Sequence, residues 1–270
     1  MLDKYYFGKV DRISPEAPVP IVNIQKEESR LGGASNVANN IVSLGGHSLL
    51  CGVIGHDLFG KEIERISRHK NIDTFLLKTS SPTITKARII GGKQQIVRVD
   101  YEDKSELNAD NKKLFRDTIS RILPEYDILV ISDYGKGLIS EDLCRYLIKL
   151  AHKYDKKVII DPKGKNWEKY SGADIVTPNV KELSDIVGYT VPNTDRAIEK
   201  AAREAITNNH LTALLVTRSD KGMSLIGPIP PIHIPTHSEE VFDVSGAGDT
   251  VVATLGLCLA AGFEISEAMR

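Results

Sequence analysis

Small residues and a carboxylate stand together near the C-terminal end of the sequence, in the stretch Asp243–Thr250. Two glycines and an alanine precede Asp249, and the long apolar run Val251–Ala261 follows it. The run predicts a buried helix that ends at Gly262, which places the small residues at the helix N-terminus. Unpaired amides and the helix dipole make such an end attractive to anions, and glycine lets an anion approach the backbone closely.

The chemistry of this stretch depends on Asp249, which lies beside the predicted anion site. A carboxylate repels a bound phosphate, unless its task is to take a proton from a hydroxyl that attacks the phosphate. The stretch therefore favours phosphoryl transfer with Asp249 as general base. An ordinary glycine-containing turn capped by an aspartate also fits these residues, so the decision depends on the rest of the chain.

A second glycine-rich helix start contains Gly32 and Gly33. Apolar residues at helical spacing after it predict a helix that ends before the glycine pair at 45–46. Asn36 lies one turn into this helix, where its side chain can hydrogen-bond a ligand. The alternative is that Asn36 caps the helix or faces water.

A β-hairpin is predicted over residues 83–99, with the pair Gly91–Gly92 as its two-residue turn. Such a hairpin over a cleft can bind a phosphorylated substrate, although lysines are also common on a solvated edge strand. The basic residues of the hairpin are Lys86, Arg88, Lys93 and Arg98.

Residues 4–28 form a second predicted appendage. Three prolines in Ser14–Pro20 exclude a helix or a central strand there. We expect 4–28 and 83–102 to form a small β-lid on a single domain that spans 1–270.

From residue 110 onward, apolar strands alternate with amphipathic helices. This alternation is typical of an α/β fold with a mostly parallel central sheet and helices on both faces. The predicted helices cover 111–123, 140–154 and 194–208, and the predicted strands cover 128–132, 158–161, 175–177 and 213–217.

Polar residues stand at the ends of these strands, among them Asp133, Asp161, Asn179 and Thr217. Open α/β sheets bind ligands beyond the carboxyl ends of their strands. We therefore expect the strand ends to face one crevice that also contains the turn Gly246–Asp249.

Length, charge and cysteine content limit the class of protein. The chain has 270 residues and a formal net charge of −1, which argues against nucleic acid or an anionic membrane as a partner. Its three cysteines are dispersed, which argues for a reducing compartment without structural disulfides. No apolar run has the length of a membrane span, and the N-terminus does not read as a signal peptide. We predict a cytoplasmic protein.

Motifs of several other enzyme classes are missing from the sequence. It has neither the P-loop pattern G-x-x-x-x-G-K-[ST] nor the G-x-S-x-G pattern of serine hydrolases. No G-x-G-x-x-G follows the first strand, which weakens the hypothesis of a Rossmann dehydrogenase. His233 and His237 have the spacing of a metal pair, but Pro235 excludes the helix that would align them. Phosphoryl transfer is the reaction class that remains.

Two long motifs, Gly32–Ala38 and Asp243–Asp249, resemble the two signatures of the ribokinase/PfkB family of sugar kinases and occur in the family's order. Further segments resemble the heptose 7-phosphate kinases within this family, and the similarity spans essentially the whole chain. These segments are Arg12–Pro20, Pro82–Lys86, Ser132–Gly137 and Asp161–Gly164.

The resemblance implies an activity and an assembly. The implied reaction is ATP-dependent phosphorylation of the anomeric hydroxyl of D-glycero-β-D-manno-heptose 7-phosphate to the 1,7-bisphosphate, in ADP-heptose synthesis for lipopolysaccharide. ATP and Mg²⁺ are the implied cofactors. The implied fold is ribokinase-like, and the implied assembly is a homodimer formed through the β-lid.

The resemblance also assigns catalytic and nucleotide-binding roles. Asp249 is the implied general base, and the amides of Gly246, Ala247, Gly248 and Asp249 are expected to stabilise the transferring phosphoryl group. Glu182 is expected to organise Mg²⁺ through water. The residues implied on the nucleotide side are Asn179, Glu182, Thr217, Ser219 and Gly222.

The substrate side is assigned partly by resemblance and partly by charge. Asp3, Gly33 and Asn36 match the family's contacts to sugar hydroxyls, and Asp133 is placed on the substrate side as well. Charge and position favour four cations for the 7-phosphate, each with a solvent-facing side chain as the alternative. These cations are Lys86, Arg98, Lys136 and Arg12.

Members of the family begin with a β-strand before the position of Met1 and continue beyond Arg270 into a segment that closes the adenine pocket. We therefore expect this chain to lack both parts. Three other hypotheses stay open: another sugar kinase of the same fold, a catalytically silent module for sugar-phosphate binding or dimerisation, and a dehydrogenase.

Overall fold

The computed structural model describes residues 1–236 and 246–269. The chain divides into two compact units, Met1–Lys104 and Ser105–Arg270. The prediction of a single domain over 1–270 stays a prediction. In chain order, the first unit contains β1 (Leu2–Ile13), β2 (Pro20–Leu31), α1 (Ala34–Ser43), β3 (Leu49–Gly55), α2 (Leu58–His69), β4 (Asp73–Thr79), β5 (Thr85–Gly91) and β6 (Gln94–Tyr101).

A four-stranded sheet with the order β2-β1-β5-β6 dominates the first unit. Strand β1 runs antiparallel to β2 and parallel to β5. Because side chains alternate along a strand, Leu2 lies on one face and Asp3 on the other. Leu2 is fully buried in a core with Leu31 and with side chains of α1, α2 and β3, such as Ile63. Asp3 therefore lies on the face opposite this core.

The hairpin β5–β6 forms as predicted, but its turn is shifted by one residue. Gly91 still pairs with Gln94, so the two turn residues are Gly92 and Lys93 rather than Gly91 and Gly92. Gly92 has a φ of 63°, which favours glycine at this turn. The pairing also contains a register shift between Ile89 and Ile90.

The second unit begins with a helix and then alternates strands and helices. In chain order its elements are α3 (Ala109–Ile122), β7 (Ile128–Ser132), α4 (Glu141–Lys153), β8 (Lys157–Asp161), β9 (Ile175–Val176), α5 (Val180–Val187), α6 (Asp195–Asn209), β10 (Ala213–Thr217), β11 (Met223–Ile226), β12 (Ile232–Ile234), α7 (Ala247–Ala260) and α8 (Ile265–Ala268).

The six strands of this unit form one sheet with the order β7-β8-β9-β10-β11-β12. Strands β7 to β10 are parallel, which confirms the mostly parallel sheet, and β11 and β12 add an antiparallel edge. Val158, Ile159 and Ile160 of β8 are completely buried, as expected for a central strand covered on both faces. In the part of the chain that the structure describes, no helix has the length and apolar character needed to cross a membrane.

Candidate active site

An open cleft of about 210 Å³ lies at the carboxyl ends of β7, β8, β9 and β10. The predicted convergence of the strand ends on the turn at Gly246 is therefore observed within the second unit. Residues that line the cleft are Asp133, Tyr134, Asp161, Pro162, Lys163, Thr177, Asn179, Glu182, Thr217, Gly246, Gly248 and Asp249.

The N-terminus of α7 provides backbone donors at this cleft. Gly246 precedes the helix with a φ of 80°, in the left-handed region, and among the described residues no side chain caps the helix. Among the described residues, no atom lies within 4 Å of a Cβ atom built on Gly248, so this part of the chain leaves the backbone there accessible to an anion. Ala247 is exposed beside it. The first residues of the motif, Asp243–Ser245, lie outside the described residues.

Asp249 lies in the first turn of α7 and is only 7 % exposed. The hydroxyl of Tyr134, which follows β7, donates a hydrogen bond to Oδ1 of Asp249 at 3.1 Å. A carboxylate in this position has a fixed orientation next to the open backbone of Gly248. The geometry suits a base that acts on a group bound at the helix N-terminus.

A second acid in the cleft is Asp161 at the end of β8. Burial, together with the nearby carboxylates of Glu182 and Asp249, raises the pKa of Asp161 from 3.8 to about 7. Negative charge is therefore in excess on this side of the cleft. A bound cation would relieve the excess.

Asn179 and Glu182 form a capping box at the start of α5. The Asn179 side chain accepts the N–H of Glu182 at 2.9 Å, and Oε2 of Glu182 accepts the N–H of Asn179 at 3.2 Å. The other oxygen, Oε1, lies 2.9 Å from the ammonium of Lys163. The backbone of Asn179 bridges to Thr217 at the end of β10. The sheet thus places Asn179 and Glu182 beside Thr217, the strand end that is predicted to bind nucleotide.

Ser219 and Gly222 form the turn that follows Thr217. Ser219 has a φ of 57°, which is uncommon for a residue other than glycine. Gly222 has a φ of 78°, and a Cβ atom there would lie 2.0 Å from the carbonyl oxygen of Ile234. The backbone packing of the turn therefore requires glycine at 222. The roles of Ser219 and Gly222 toward a nucleotide stay predictions.

Asp133 is 3 % exposed, and its carboxylate accepts hydrogen bonds from within the protein. Its donors are the backbone N–H of Gly135 at 2.7 Å, the ammonium of Lys169 at 2.5 Å and the hydroxyl of Tyr170 at 2.7 Å. These contacts hold the turn that carries Tyr134. Asp133 remains a predicted substrate residue, and Lys136 lies half-buried further along the same turn.

In the first unit, the strand register brings Asp3 of β1 and the basic residues of the hairpin together. Asp3 pairs with Lys86, and Arg88 pairs with Arg98. Oδ1 of Asp3 lies 2.5 Å from Nη1 of Arg88. Burial lowers the pKa of Lys86, and the positive charges of Arg98 and Arg88 contribute, against the opposing charge of Asp3. The cluster therefore brings three cations together on one face of the sheet, with Asp100 beside them bonded to Arg98 at 2.8 Å.

The start of α1 belongs to the same face. A Cβ atom on Gly32 would lie 2.1 Å from Oδ2 of Asp3, so only glycine fits next to that carboxylate. Gly33 precedes the helix with a φ of 58°, and no side chain of the described residues caps it. Asn36 is half-buried in the first turn. The predicted contacts to sugar hydroxyls are thus close to one another within this unit.

Two sequence candidates lie apart from these clusters. Arg12 is exposed on β1, nine positions beyond Asp3 in the chain, or roughly 30 Å at the usual rise of a strand. His233 of β12 contacts the Ser224 hydroxyl at 2.7 Å and Glu199 at 3.1 Å, which explains its position without a metal. His237 lies outside the described residues. Within the described ranges, no group of three or more His, Cys, Asp or Glu side chains is arranged to hold a metal ion.

Comparison with known proteins identifies the family of the chain. The family described as pfkB family carbohydrate kinase matches residues 5–270. The chain belongs to this kinase family.

Named relatives of this pfkB kinase include two bacterial proteins. The chain is 45 % identical over 269 residues to "Bifunctional protein HldE" of Haemophilus influenzae (strain PittEE). The matched region covers 99 % of this chain and 55 % of that protein. It is 43 % identical to "D-beta-D-heptose 7-phosphate kinase" of Bordetella bronchiseptica, with 100 % of this chain and 85 % of that protein covered. The pfkB chain thus spans about half the length of the bifunctional relatives it matches.

Solved structures show the fold of the pfkB kinase. Phosphofructokinase-2 from Escherichia coli in complex with potassium has a TM-score of 0.82 at 22 % identity, covering 100 % of this chain and 86 % of that chain. Ribokinase from Arabidopsis thaliana, complexed with ribose and ATP, has a TM-score of 0.76 at 20 % identity and the same coverage of both chains. The fold is the predicted ribokinase-like α/β fold with helices on both sides of the sheet.

Several side chains that line the candidate site are not assigned from the sequence. Tyr134, Asp161 and Lys163 are predicted only as polar strand ends and as parts of family-like segments, without a role in the site. Arg88 was noted as a basic hairpin residue but not assigned to the site. Its alternation with Lys86 at i and i+2 is the sequence signal that places both on one face of β5.

Proposed function

We propose that this chain transfers the γ-phosphoryl group of ATP to the anomeric hydroxyl of D-glycero-β-D-manno-heptose 7-phosphate, as a step in ADP-heptose synthesis. The names of the relatives supply the substrate, and family membership supplies the reaction class. The observation that carries the proposal is the buried carboxylate of Asp249 beside the open backbone at Gly248. A proton acceptor and an anion site at one helix start are what this reaction requires.

The catalytic role of Asp249 is general base. It takes the proton of the anomeric hydroxyl as the oxygen of that hydroxyl attacks the γ-phosphorus, while the bond from the γ-phosphorus to the β,γ-bridging oxygen breaks and ADP leaves. The amides of Gly246, Ala247, Gly248 and Asp249 donate to the phosphoryl oxygens and stabilise the charge on them. Orientation and electrostatic stabilisation thus provide most of the rate enhancement.

The acids of the cleft can attract a hydrated divalent cation that is held through water rather than by direct side-chain ligands. Asp161 has a raised pKa because it is buried near Glu182 and Asp249, and a hydrated Mg²⁺ would balance this negative charge. Glu182 would hold the ion through water, with Asp161 next to it. When bound, Mg²⁺ neutralises charge on the ATP phosphates. Asn179 and Thr217, with Ser219 and Gly222 after them, form the proposed nucleotide side.

The 7-phosphate of the sugar is assigned to the cationic face of the first unit. Lys86, Arg88 and Arg98 are neighbours across β5 and β6, and guanidinium and ammonium groups are suited to bind phosphate. Asp3, with Gly33 and Asn36 at the start of α1, would bind sugar hydroxyls. Asp133, Lys136 and Arg12 stay predicted substrate residues.

A coupled assay of the full-length protein with ATP and heptose 7-phosphate tests this function. We expect turnover that depends on Mg²⁺ and on the sugar 7-phosphate. Turnover of ribose or of fructose 1-phosphate, with none of heptose 7-phosphate, would show a different pfkB sugar kinase. Binding of the sugar phosphate without nucleotide binding, measured by calorimetry, would favour a silent binding module.

The proposal includes a homodimer in the cytoplasm, where ATP is available. The four-stranded sheet of the first unit exposes several large apolar side chains, among them Ile13 at 69 % and Val10 at 42 %. Exposed apolar side chains that form a patch can mark a site of protein–protein contact. A second copy of the chain is the partner that the family resemblance implies.

A further inference from the structure

We infer that Tyr134 is a positioning residue for Asp249, through the hydrogen bond that its hydroxyl donates to Oδ1 of that carboxylate. The inference rests on the proposed kinase function, because it assigns Tyr134 a part in proton transfer by Asp249. The two residues are 115 positions apart, and the contact joins the end of β7 to the start of α7. Tyr134 would act on the rate of the chemical step rather than on substrate affinity.

The first reason is geometric. The torsion that turns a carboxylate about its bond to Cβ has a broad energy profile, so Asp249 needs a partner to hold one orientation. Tyr134 supplies that partner at 3.1 Å, at a position where Asp249 is 7 % exposed. A base that is already oriented loses less entropy when the acceptor hydroxyl arrives.

The second reason is that Tyr134 is itself held in place. The residue before it, Asp133, is anchored by Lys169, Tyr170 and the backbone of Gly135. Asp133 and Tyr170 are almost completely buried, so this anchor is shielded from water. The turn therefore presents the Tyr134 hydroxyl from a fixed backbone.

The same anchor supports the neighbouring loop. The backbone N–H of Lys163 donates to the Tyr170 hydroxyl at 3.0 Å, and the Trp167 indole N–H donates to the carbonyl of Gly164 at 3.2 Å. Trp167 is completely buried. Tyr170 thus joins the turn of Tyr134 to the loop of Lys163, and both line the cleft.

The third reason is the chemistry of the donor. A phenol keeps its proton at neutral pH and donates without a charge. A lysine or arginine at position 134 would form an ion pair with Asp249 and weaken it as a proton acceptor. A neutral donor orients the base and leaves it competent, which suits a site that also holds Asp161 and Glu182.

A double-mutant cycle on the full-length protein tests the inference, using Tyr134→Phe, Asp249→Asn and the double variant. We expect kcat of Tyr134→Phe to fall about 10- to 100-fold, the range for a lost hydrogen bond to a charged group, while KM for both substrates stays close to wild type. In the Asp249→Asn background, the same replacement should cost nothing further, since residues that act as a unit are not additive. Tyr154→Phe, at an exposed tyrosine after α4, is the matched control and should keep the wild-type kcat.

Three results would overturn the inference: a wild-type kcat in Tyr134→Phe, a raised KM with unchanged kcat, and a full additional loss in the double variant. A raised KM would make Tyr134 a substrate contact, and an additive loss would make it structural. Unfolding midpoints from circular dichroism set an assay temperature at which all variants are folded. If the wild type does not turn over heptose 7-phosphate, the proposed function fails, and the cycle is measured with the sugar that the wild type does phosphorylate.

Discussion

The ammonium group of Lys163 lies 2.9 Å from Oε1 of Glu182, the residue that we propose to organise Mg²⁺. The hydrogen bond to Glu182 raises the pKa of Lys163, so the ammonium is charged at neutral pH. The Lys163 side chain is 53 % exposed, whereas that of Glu182 is 16 % exposed. A hydrated cation that approaches Glu182 must therefore displace this exposed ammonium or share Glu182 with it.

Replacing Glu182 by Gln separates metal organisation from folding. The Mg²⁺ concentration for half-maximal rate should rise about 10- to 100-fold, as for other side chains that act next to a metal. Stability should change by less than about 1 kcal/mol, because a partly exposed ion pair contributes little and glutamine keeps the capping box. Initial rates at varied free Mg²⁺ and denaturant unfolding measure the two effects.

The control for Glu182→Gln is Asp185→Asn, because Asp185 is exposed on the same helix α5. An unchanged Mg²⁺ dependence in Glu182→Gln would contradict the assignment.

Asp249→Asn should lower kcat by about 10²- to 10⁴-fold, the usual contribution of a general base. Affinity for heptose 7-phosphate should persist, because asparagine has nearly the same shape and still offers an acceptor oxygen to Tyr134. Steady-state kinetics and isothermal calorimetry with the sugar phosphate check the two halves of this statement. A variant with wild-type kcat would remove Asp249 as the base.

The second unit shows what sequence patterns can predict. The apolar runs of β7, β8 and β10 and the amphipathic pattern of α4 predict their elements to within about two residues, because burial on both faces or on one stripe leaves a periodic signal. The eight-residue helix α5 was missed because it is too short for a clear periodic pattern. The edge strands β11 and β12 are also short, and the turn before them depends on the unusual φ of Ser219.

The residues of the candidate site also differ in how far the sequence predicts them. Local motifs placed Asp249 and Gly248 at a helix start and Glu182 three residues after Asn179, since both signals lie within one turn of helix. The contacts of Tyr134 with Asp249 and of Lys169 with Asp133 join residues 115 and 36 positions apart. No periodicity encodes such pairs, so they follow only from the packing of separate elements.

Lys86→Met should raise KM for heptose 7-phosphate about 10- to 100-fold, the effect of losing a charge-assisted hydrogen bond to phosphate. Burial lowers the pKa of Lys86, so the folded protein disfavours its charge and should tolerate methionine without loss of stability. Kinetics with heptose 7-phosphate and with unphosphorylated heptose test the specificity of the effect. Only the phosphorylated sugar should respond.

Lys93→Met provides the comparison for Lys86, because Lys93 is an exposed residue of the hairpin turn. Its KM should match the wild type. Equal effects of the two replacements would indicate general electrostatic attraction rather than a phosphate site.

Ile13→Asp should convert the proposed dimer to a monomer, because it places a charge at the exposed end of β1. Leu58→Asp is the matched control, since Leu58 of α2 is exposed at 78 % but lies outside the four-stranded sheet of the first unit. Analytical ultracentrifugation over a range of concentrations distinguishes the species. A wild-type protein that stays monomeric, or an Ile13→Asp variant that stays dimeric, would refute dimerisation through this surface.

Asp161 makes the stability of the protein depend on pH with a defined sign. Its pKa rises from 3.8 to about 7 on folding, so the folded state holds a proton that the unfolded state releases over this interval. The contribution of this proton to the free energy of unfolding is fully present below pH 4. It is lost as the pH rises to 7, by up to about 1.4 kcal/mol per pH unit. The groups that act on Asp161 are Glu182, Asp249 and Asp133, with Lys163 opposing them.

Asp161→Asn removes this titration and should flatten the dependence of unfolding free energy on pH between 4 and 7. At pH 8 the variant should be more stable than the wild type, by a difference on the order of 2 to 4 kcal/mol, and the difference should shrink toward pH 4. Urea unfolding without added Mg²⁺, at intervals between pH 4.5 and 8.5, measures both slopes, and Asp185→Asn should keep the wild-type slope. Parallel slopes for wild type and Asp161→Asn would show that Asp161 titrates normally, and the argument for excess negative charge in the cleft would then fail.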